Sequence, residues 1–391
     1  MILKEYKKGN YVKKIGIIGS GFIVKGLLDL IVSKKEFSIS NILTRTDIND
    51  RGDFVYKKFM TNSLDELIDN SDIIVECTGD VSYATKTISK IMQANIPIVT
   101  MNTEFNVTVG SYFVDKCFIT EGEGDQPGSL AALNEEAEIM GFSPLVFGNI
   151  KGFLNNNPTR EDMEYWAKKS NLSLSMVTSF TDGTKVQMEQ AFVANGLGAT
   201  ILKQGLSGTE DTDIKKSAIA LAEQAKKIKS PISDYVLSSK GPAGVFITAT
   251  HDENQKDALR YYKMGEGPFY TLVKEYHLPH LELYKTIVRV LNGGDVLLNN
   301  GKNPSISVAS IAKKDLKAGN RIDKAIGSFD IRGEAVKIDE NLKHIPIGLL
   351  NNAVFKRDIQ KDEIVQFDDI KIEDNQAIDI WYKILQNRMI K

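Results

Sequence analysis

Lys185 stands three residues after Asp182 and four before Glu189, in the run Thr178-Ser-Phe-Thr-Asp182-Gly-Thr-Lys185-Val-Gln-Met-Glu189. On a helix beginning near Asp182 these three side chains share one face at i, i+3 and i+7. An ammonium flanked by carboxylates can pass a proton to or from an oxygen whose charge changes during a reaction. The hydroxyl-rich entry Thr178–Thr181 favours a site over the alternative, a surface ion-pair ladder with Asp182 as N-cap. A second polar run, Glu121-Gly-Glu123-Gly-Asp125-Gln-Pro-Gly128, alternates carboxylates with glycines. Glu123 and Asp125 there can hold a divalent cation or bind a polyol. The same residues can also form an acidic loop that caps the helix opening at Gly128–Ser129. His277-Leu-Pro-His280-Leu-Glu282 joins a strand to a helix without the spacing of a helical metal pair; His277 or His280 can be a substrate ligand or a plain loop histidine, and His277 and Glu282 are candidates for closing a pocket. The other two histidines, His251 and His344, stand in no such pattern.

Near the N-terminus, Gly19-Ser20-Gly21-Phe22-Ile23-Val24-Lys-Gly26 follows the apolar run Lys14–Ile18 and opens a helix-like stretch. One glycine permits the tight turn and the next lets a pyrophosphate approach the backbone, with the free N–H groups of the following helix aimed at it. Strand before, helix after and further βα units beyond are the context that makes such a turn a dinucleotide site. The third fingerprint position is Val24, which widens the helix–strand packing, with Gly26 as compensation. The second strand ends in Leu43-Thr44-Arg45-Thr46 rather than on an acidic residue. A hydroxyl beside a guanidinium suits a ribose 2′-phosphate, so NADP is favoured over NAD. Arg45 can also be a solvated strand-end cation, and Asp47 is the ribose acceptor if the strand runs further. Thr78 and Gly79, after the third strand, and Asn102 and Glu104, after the fourth, are cleft candidates by position, because carboxyl ends of parallel strands line the cleft.

Those residues must be positioned by alternating strands and helices. Apolar runs at Lys14–Gly19, Ile39–Thr44, Asp72–Glu76, Ile96–Thr100 and Lys116–Thr120 read as strands. Phe22–Ser33, Leu64–Asp69 with Ser63 as N-cap, and Tyr83–Asn95 read as helices. The implied fold class is α/β, with an N-terminal doubly wound Rossmann sheet over 1–121. A central α/β substrate domain occupies 122–300. Its expected helices are Ser129–Met140, Asp182–Ala194, Asp213–Lys229 and Glu282–Leu291, and its strands Leu145–Phe147, Gly244–Thr250 and Phe269–Lys274. Asn292–Pro304, rich in Gly and Asn, reads as a linker. Over 301–391 the run Ala312–Ile322 recurs loosely as Val354–Ile364, which points to a small β-rich module with internal similarity.

A net charge of −2 over 391 residues gives no sign of the clustered basic surface that a nucleic-acid partner requires. No apolar run approaches membrane-spanning length, and Met1–Val12 is lysine-rich without the apolar core of a secretory signal. The expected location is therefore the cytoplasm. Cys77 and Cys117 lie in apolar strands and read as buried structural thiols.

The segments GIIGSGFIVKG, IPIVTMNTEFNVTVG, EGEGDQPG, SFTDGTKVQMEQAFVAN, KMGEGPFY and EYHLPHLE, spread from Gly16 to Glu282, together resemble homoserine-dehydrogenase-like oxidoreductases that carry a C-terminal SAF module. The terminal repeat resembles SAF, a small β-clip fold. One branch of this family resembles 1-deoxy-D-xylulose 5-phosphate reductoisomerase, an NADPH enzyme. The resemblance implies NADPH-dependent reduction of a small hydroxylated carbonyl compound, with or without a phosphate, in a homodimer. Homoserine dehydrogenases show Asn-Lys after the fourth strand where this chain has Asn102-Thr103, so Lys185 must supply that lysine's chemistry, positioned by Asp182 and Glu189. Glu104, Glu123 and Asp125 would orient substrate or a divalent metal that chelates ketol oxygens. Two rival readings are a homoserine or related hydroxy-acid dehydrogenase and a non-catalytic nucleotide sensor or scaffold.

Overall fold

The computed structural model describes residues 12–52 and 54–389, so residues 1–11 of the lysine-rich opening lie outside the described residues. Six parallel strands make the first sheet: β1 (Lys14–Ile18), β2 (Ser38–Leu43), β3 (Met60–Thr61), β4 (Ile73–Glu76), β5 (Ile98–Thr100) and β6 (Ile119–Glu121). Their spatial order is β3-β2-β1-β4-β5-β6. Helices α1 (Phe22–Lys34), α2 (Leu64–Asp69), α3 (Val81–Gln93) and α4 (Thr103–Val109) provide connections between them. Ile15, Ile17, Ile73, Ile74 and Val75 are wholly buried, as a sheet covered on both faces requires. The direction of winding reverses between β1 and β4, which opens a crevice at the carboxyl ends of the strands. Ser63 caps α2 as its sequence implied, accepting from Glu66 N–H at 3.2 Å. Helix α3 starts at Val81, two residues before the sequence expectation, because the Asp80 carboxylate accepts from Tyr83 N–H.

The middle of the chain holds α5 (Gln126–Ile139), β7 (Ser143–Lys151), α6 (Arg160–Ser170), α7 (Leu174–Thr181), α8 (Thr184–Gly196), β8 (Thr209–Glu210), α9 (Ile214–Ile228), β9 (Ile232–Leu237), β10 (Gly244–Thr250), α10 (Lys256–Tyr261), β11 (Tyr270–Lys274) and α11 (Pro279–Leu291). Its sheet runs β11-β10-β7-β9-β8, with β10 antiparallel to both neighbours and the other pairs parallel. Alternate residues of β7 face opposite layers. Val146 and Ile150 pack with Leu221 and Ala222 of α9, whereas Phe147 joins the cluster holding Leu130 of α5 and Met188 of α8. Helix α11 returns to pack on α1. The Asn292–Pro304 stretch is docked rather than loose. Leu297 and Leu298 are buried and donate their N–H groups to Thr120 Oγ1, and Leu298 C=O accepts from Glu121 N–H.

The C-terminal part comprises β12 (Ile306–Ala312), β13 (Arg321–Lys324), β14 (Ile331–Lys337), β15 (Asn351–Phe355), β16 (Ile370–Lys371) and α12 (Gln376–Met389). Its repeat is real in space, and the two copies pair with each other. Leu316 and Ile359 exchange backbone bonds, each 2.9 Å. Asp315 accepts from Lys361 N–H at 2.8 Å, and Asp358 accepts from Ala318 N–H at 2.9 Å. Gly319 N–H donates to Phe355 C=O just as Asp362 N–H donates to Ala312 C=O. Each aspartate thus caps the turn of the other copy, which gives the module a local two-fold. Phe105, Phe192, Ile345 and Trp381 belong to one continuous core spanning all three parts. Among the described residues, no helix is long and apolar enough to cross a membrane.

Candidate functional site

The glycine turn leaves its backbone open. Gly19 sits at φ +111° with its would-be Cβ 3.1 Å from the Cys77 carbonyl oxygen, so a side chain there is strained twice over. Gly21 is the N-cap of α1, with no capping side chain and no acidic residue in the first turn. A Cβ at Gly21 or at Gly79 would meet nothing within 4 Å, which leaves the approach of a diphosphate to the backbone open. These residues fit a nicotinamide dinucleotide. Ser20 and Ile23 flank the turn half-buried, while Phe22 is 76% exposed and stands edge-on to His280 at 6.2 Å. Val24 is fully buried. Gly26 does not compensate for it: a Cβ there would lie 2.6 Å from the His280 ring, so its smallness serves the first turn of α11.

At the end of β2, Thr44 is buried and its hydroxyl accepts from Thr46 N–H at 3.3 Å. The Arg45 guanidinium lies over the Tyr83 ring and donates to Asp80 Oδ2 at 2.7 Å. Arg51 reaches the same turn and donates to Thr46 Oγ1 at 3.0 Å. Asp47 caps its own turn by accepting from Asn49 N–H at 2.8 Å.

Two carboxyls close their strands, Glu76 on β4 and Glu121 on β6. Glu76, the last residue of β4, is fully buried and accepts from Thr78 N–H (2.8 Å), the Thr78 hydroxyl, Thr100 Oγ1 (3.2 Å) and Asn102 Nδ2 (3.3 Å). Burial pushes its carboxyl up against the pull of those donors. Asn102 is itself wholly buried and caps α4 by accepting from Phe105 N–H at 3.0 Å. It therefore shapes the cleft wall without being free to grip a ligand, and the Thr78 hydroxyl is likewise occupied. Glu121, the last residue of β6, is fully buried; its Oε2 accepts from Asn106 Nδ2 at 2.6 Å, and its Oε1 has no hydrogen-bond partner among the described residues. Burial and the neighbouring Asp125 charge push the Glu121 carboxyl well above the usual carboxylate range, against the pull of Lys185.

Lys185 occupies the centre of this wall. Its Nζ lies 3.5 Å from Asp125 Oδ2 and 3.7 Å from Glu104 Oε1, and all three side chains are at most 15% exposed. Burial opposes the ammonium, but Asp125, Glu104, Glu189 and Glu121 outweigh it and raise Lys185 above the usual lysine range. Asp125 moves the other way. Burial works to raise it, yet Lys185, the Thr103 hydroxyl at 2.5 Å and His277 hold it below the ordinary aspartate value.

The proposed face through Asp182 does not form. Gly183 takes φ +86° and α8 begins only at Thr184, so Asp182 ends α7. Asp182 accepts from Thr184 N–H (2.8 Å) and pairs with Lys313 at 2.6 Å, leaving Lys185 to other partners. The hydroxyls of Thr178 and Ser179 bond back to Leu174 and Met176 carbonyls inside α7, which removes the polar entry from the cleft. Glu189 shares the Lys185 side of α8 but is held by Asn149 Nδ2 at 2.8 Å and Lys151 Nζ at 3.0 Å.

Glu123 and Asp125 divide between two networks instead of converging. Glu123 pairs with Lys274 (2.9 Å) and Lys285, and Lys274 also pairs with Glu282. Burial opposes the Lys274 charge, but Glu282 and Glu123 raise its pKa. Glu282 also accepts from Leu278 N–H at 2.9 Å, so it anchors the His277–His280 loop. Gly124, at φ +106°, lets that loop sit on it, for a Cβ there would meet the Pro279 carbonyl at 2.4 Å. Among the described residues, no group of three or more His, Cys, Asp or Glu side chains is placed to hold a metal ion. Cys77 and Cys117 are both free; burial raises Cys77 well above the usual thiol value and pushes Cys117 up to about 11, so neither is a ready nucleophile.

Residues 15–112 match the family described as homoserine dehydrogenase, NAD binding domain, and residues 124–283 match the family described as oxidoreductase DRL, catalytic domain. No curated protein matches the chain. Solved structures of similar fold include a homoserine dehydrogenase from Thiobacillus denitrificans, at 10% identity and TM-score 0.47 over 90% of this chain and 98% of that one. A dehydrogenase from Clostridium difficile follows at 13% identity and TM-score 0.42, over 74% and 94%. UDP-N-acetylglucosamine 3-dehydrogenase from Acidithiobacillus ferrooxidans matches at 8% identity and TM-score 0.43, over 74% and 92%. The two family matches take in the glycine turn and the Lys185–Asp125–Glu104 cluster. The chain is an NAD(P)-dependent oxidoreductase.

Proposed function

We propose that this oxidoreductase reduces a small hydroxylated carbonyl compound, with NADPH as the preferred cofactor and Lys185 as the cation that meets the substrate oxygen. The observation that carries the reading is the placement of Lys185 against Asp125 and Glu104 at the carboxyl ends of the nucleotide-binding strands. A bound nicotinamide supplies the hydride that adds to the carbonyl carbon. Negative charge then builds on the carbonyl oxygen, and an ammonium already fixed by two carboxylates stabilises that oxygen without reorganising. Lys185 is held firmly as an ammonium, yet it can still give a proton to an alkoxide, which is far more basic. Asp125 and Glu104 keep it charged and aimed, and they can also accept from substrate hydroxyls. The closing loop brings His277 to the Asp125 side of the cleft.

The preference for NADPH rests on Arg45 and Arg51, whose guanidinium groups both reach the turn after β2. A 2′-phosphate would compete with Asp80 for the Arg45 fork. Lys185 and its carboxylates can between them serve the substrate oxygen and its hydroxyls. The resemblance to the reductoisomerase-like branch supports a hydroxyketone skeleton, with or without phosphate. Homoserine chemistry is the discriminating alternative, since the lysine of its Asn-Lys pair is replaced here by Thr103, whose hydroxyl donates to Asp125.

The test is a screen of the full chain for NADPH oxidation with hydroxyketones, ketose phosphates and hydroxyaldehydes, and for cofactor reduction with homoserine. Turnover of a hydroxylated carbonyl compound that collapses in Lys185→Met supports the proposal. Turnover of homoserine alone, or cofactor binding without hydride transfer to any of these, removes it.

A further inference from the structure

Helix α8 carries Lys185 and is gripped along its first turns by the C-terminal β module. Gly333 N–H of β14 donates to Thr184 Oγ1 at 2.9 Å, and Ala335 N–H donates to Gln187 Oε1 at 2.9 Å. Gln187 Nε2 donates to the Gly205 carbonyl at 2.7 Å, and Gly205 N–H donates in turn to the Ala335 carbonyl at 2.9 Å. The approach is close enough that a Cβ at Gly333 would lie 3.1 Å from Thr184 Cγ2 and 2.8 Å from Val308 Cγ1. Thr184 and Gln187 bracket Lys185, so the strand is stitched to the helix on either side of it.

The start of the helix is fixed by the same module. Lys313 follows directly on β12 and donates to Asp182 Oδ2 and to the Ser328 carbonyl, both at 2.6 Å. The Lys313 and Asp182 side chains are 4% and 0% exposed. Asp182 uses its other oxygen to take the Thr184 N–H, the first amide of α8. A buried ion pair is a poor source of net stability, because desolvation offsets the attraction, but it tolerates little displacement of either partner. Lys313 therefore sets geometry: it holds Asp182, Asp182 sets the first turn of α8, and that turn carries Lys185 to Asp125 and Glu104.

We propose that the C-terminal β module is the positioning element of the active site, with Lys313 as a positioning residue that acts on Lys185 through Asp182 and the amino end of α8. This rests on Lys185 as the substrate-facing cation, but its test reads the placement of Lys185 independently of turnover. The full-length protein is labelled with acetic anhydride through the lysine titration range, and acetylation at Lys185 and Lys274 is read by mass spectrometry. Lys274 is also buried and paired with carboxylates but lies on β11, so it reports general loosening.

In the wild type both amines are protected. The double variant Asp182→Asn/Lys313→Met removes the pair without leaving a lone buried charge. It is expected to raise Lys185 labelling on the order of tenfold for each pKa unit Lys185 loses on leaving its carboxylates, with Lys274 unchanged. Gln187→Leu cuts the other stitch and serves as the second variant if the first does not fold. Unchanged Lys185 labelling in a folded variant, or equal rises at Lys185 and Lys274, overturns the proposal. A selective rise at Lys185 alongside full turnover by Lys185→Met keeps the positioning claim and refutes only the catalytic role of Lys185.

Discussion

Replacing Gly21 with alanine separates the stability of the fold from its capacity to bind a dinucleotide. Gly21 has φ −79° and ψ −169°, an extended conformation that alanine also adopts, and its would-be Cβ has nothing within 4 Å. Two small effects on stability then oppose each other. Alanine is a worse N-cap than glycine, while the loss of unfolded-state freedom favours the variant, and the sum should lie within about 0.5 kcal/mol. Binding behaves differently. The new methyl carbon projects about 1.5 Å from Cα into the space where a diphosphate would approach. Backbone N–H contacts near 2.9 Å would stretch past about 3.5 Å and cease to be hydrogen bonds. Losing one or two charge-assisted bonds at about 1.5–3 kcal/mol each corresponds to a ten- to hundredfold or greater rise in Kd. Calorimetric titration with NADPH and with NADH, beside thermal melts of the apoprotein, measures both quantities. The expected pattern is an unchanged Tm with weakened binding of both cofactors. Wild-type affinity in a folded Gly21→Ala protein would refute the assignment of the diphosphate to this turn.

Three further outcomes are expected. Arg45→Ala should weaken NADPH by roughly tenfold while leaving NADH unchanged, because only the 2′-phosphate uses the guanidinium; parallel titrations check this, and equal losses would remove Arg45 from the cofactor site. Lys185→Met should slow hydride transfer by about 10²–10³-fold, the range for losing one donor to a developing oxyanion, with cofactor Kd unchanged; a similar fall in affinity and rate would mark a structural role instead. His344 is buried between Ser307 and Trp381, and burial pushes its imidazole down to about 4 from 6.5. Its folded-state pKa is depressed, so the unfolded chain takes up the proton first, and the stability it contributes is full above pH 6.5 and lost as pH falls toward 4. Holding the pKa at about 4 corresponds to about 3 kcal/mol. Urea unfolding should therefore show the wild-type advantage over His344→Gln shrinking by about that amount between pH 7 and pH 4; a constant gap would refute the neutral buried imidazole.

What the sequence could and could not disclose follows from how far each interaction reaches along the chain. The glycine turn was legible because its constraints are local: a positive φ at Gly19, an open approach at Gly21 and an apolar strand just before. Lys185, Asp125 and Glu104 were each legible as polar residues at element ends, but their convergence depends on β5, β6 and α8 meeting in space. Asp182 was misjudged, and the correcting signal lay beside it. Asp182-Gly183 is a turn dipeptide, and the left-handed Gly183 delays the helix to Thr184, rotating Asp182 away from Lys185. Glu76 and Glu121 also left a trace, each a carboxyl closing an otherwise apolar strand of a buried sheet. Desolvation at such a place costs several kcal/mol unless the group is paired or neutral, so a carboxyl there calls for a purpose even before its neighbours are known. The Asp182–Lys313 pair had no trace at all. Its partners lie 131 residues apart, on elements whose meeting depends on the tertiary fold. Lys313 looked like any cation in a lysine-rich turn. The repeat around it was readable, but the helix it would clamp was not. The reach of sequence reasoning at this site ends where a local motif is steered by a distant one, and that is where the Lys185 labelling experiment probes the molecule.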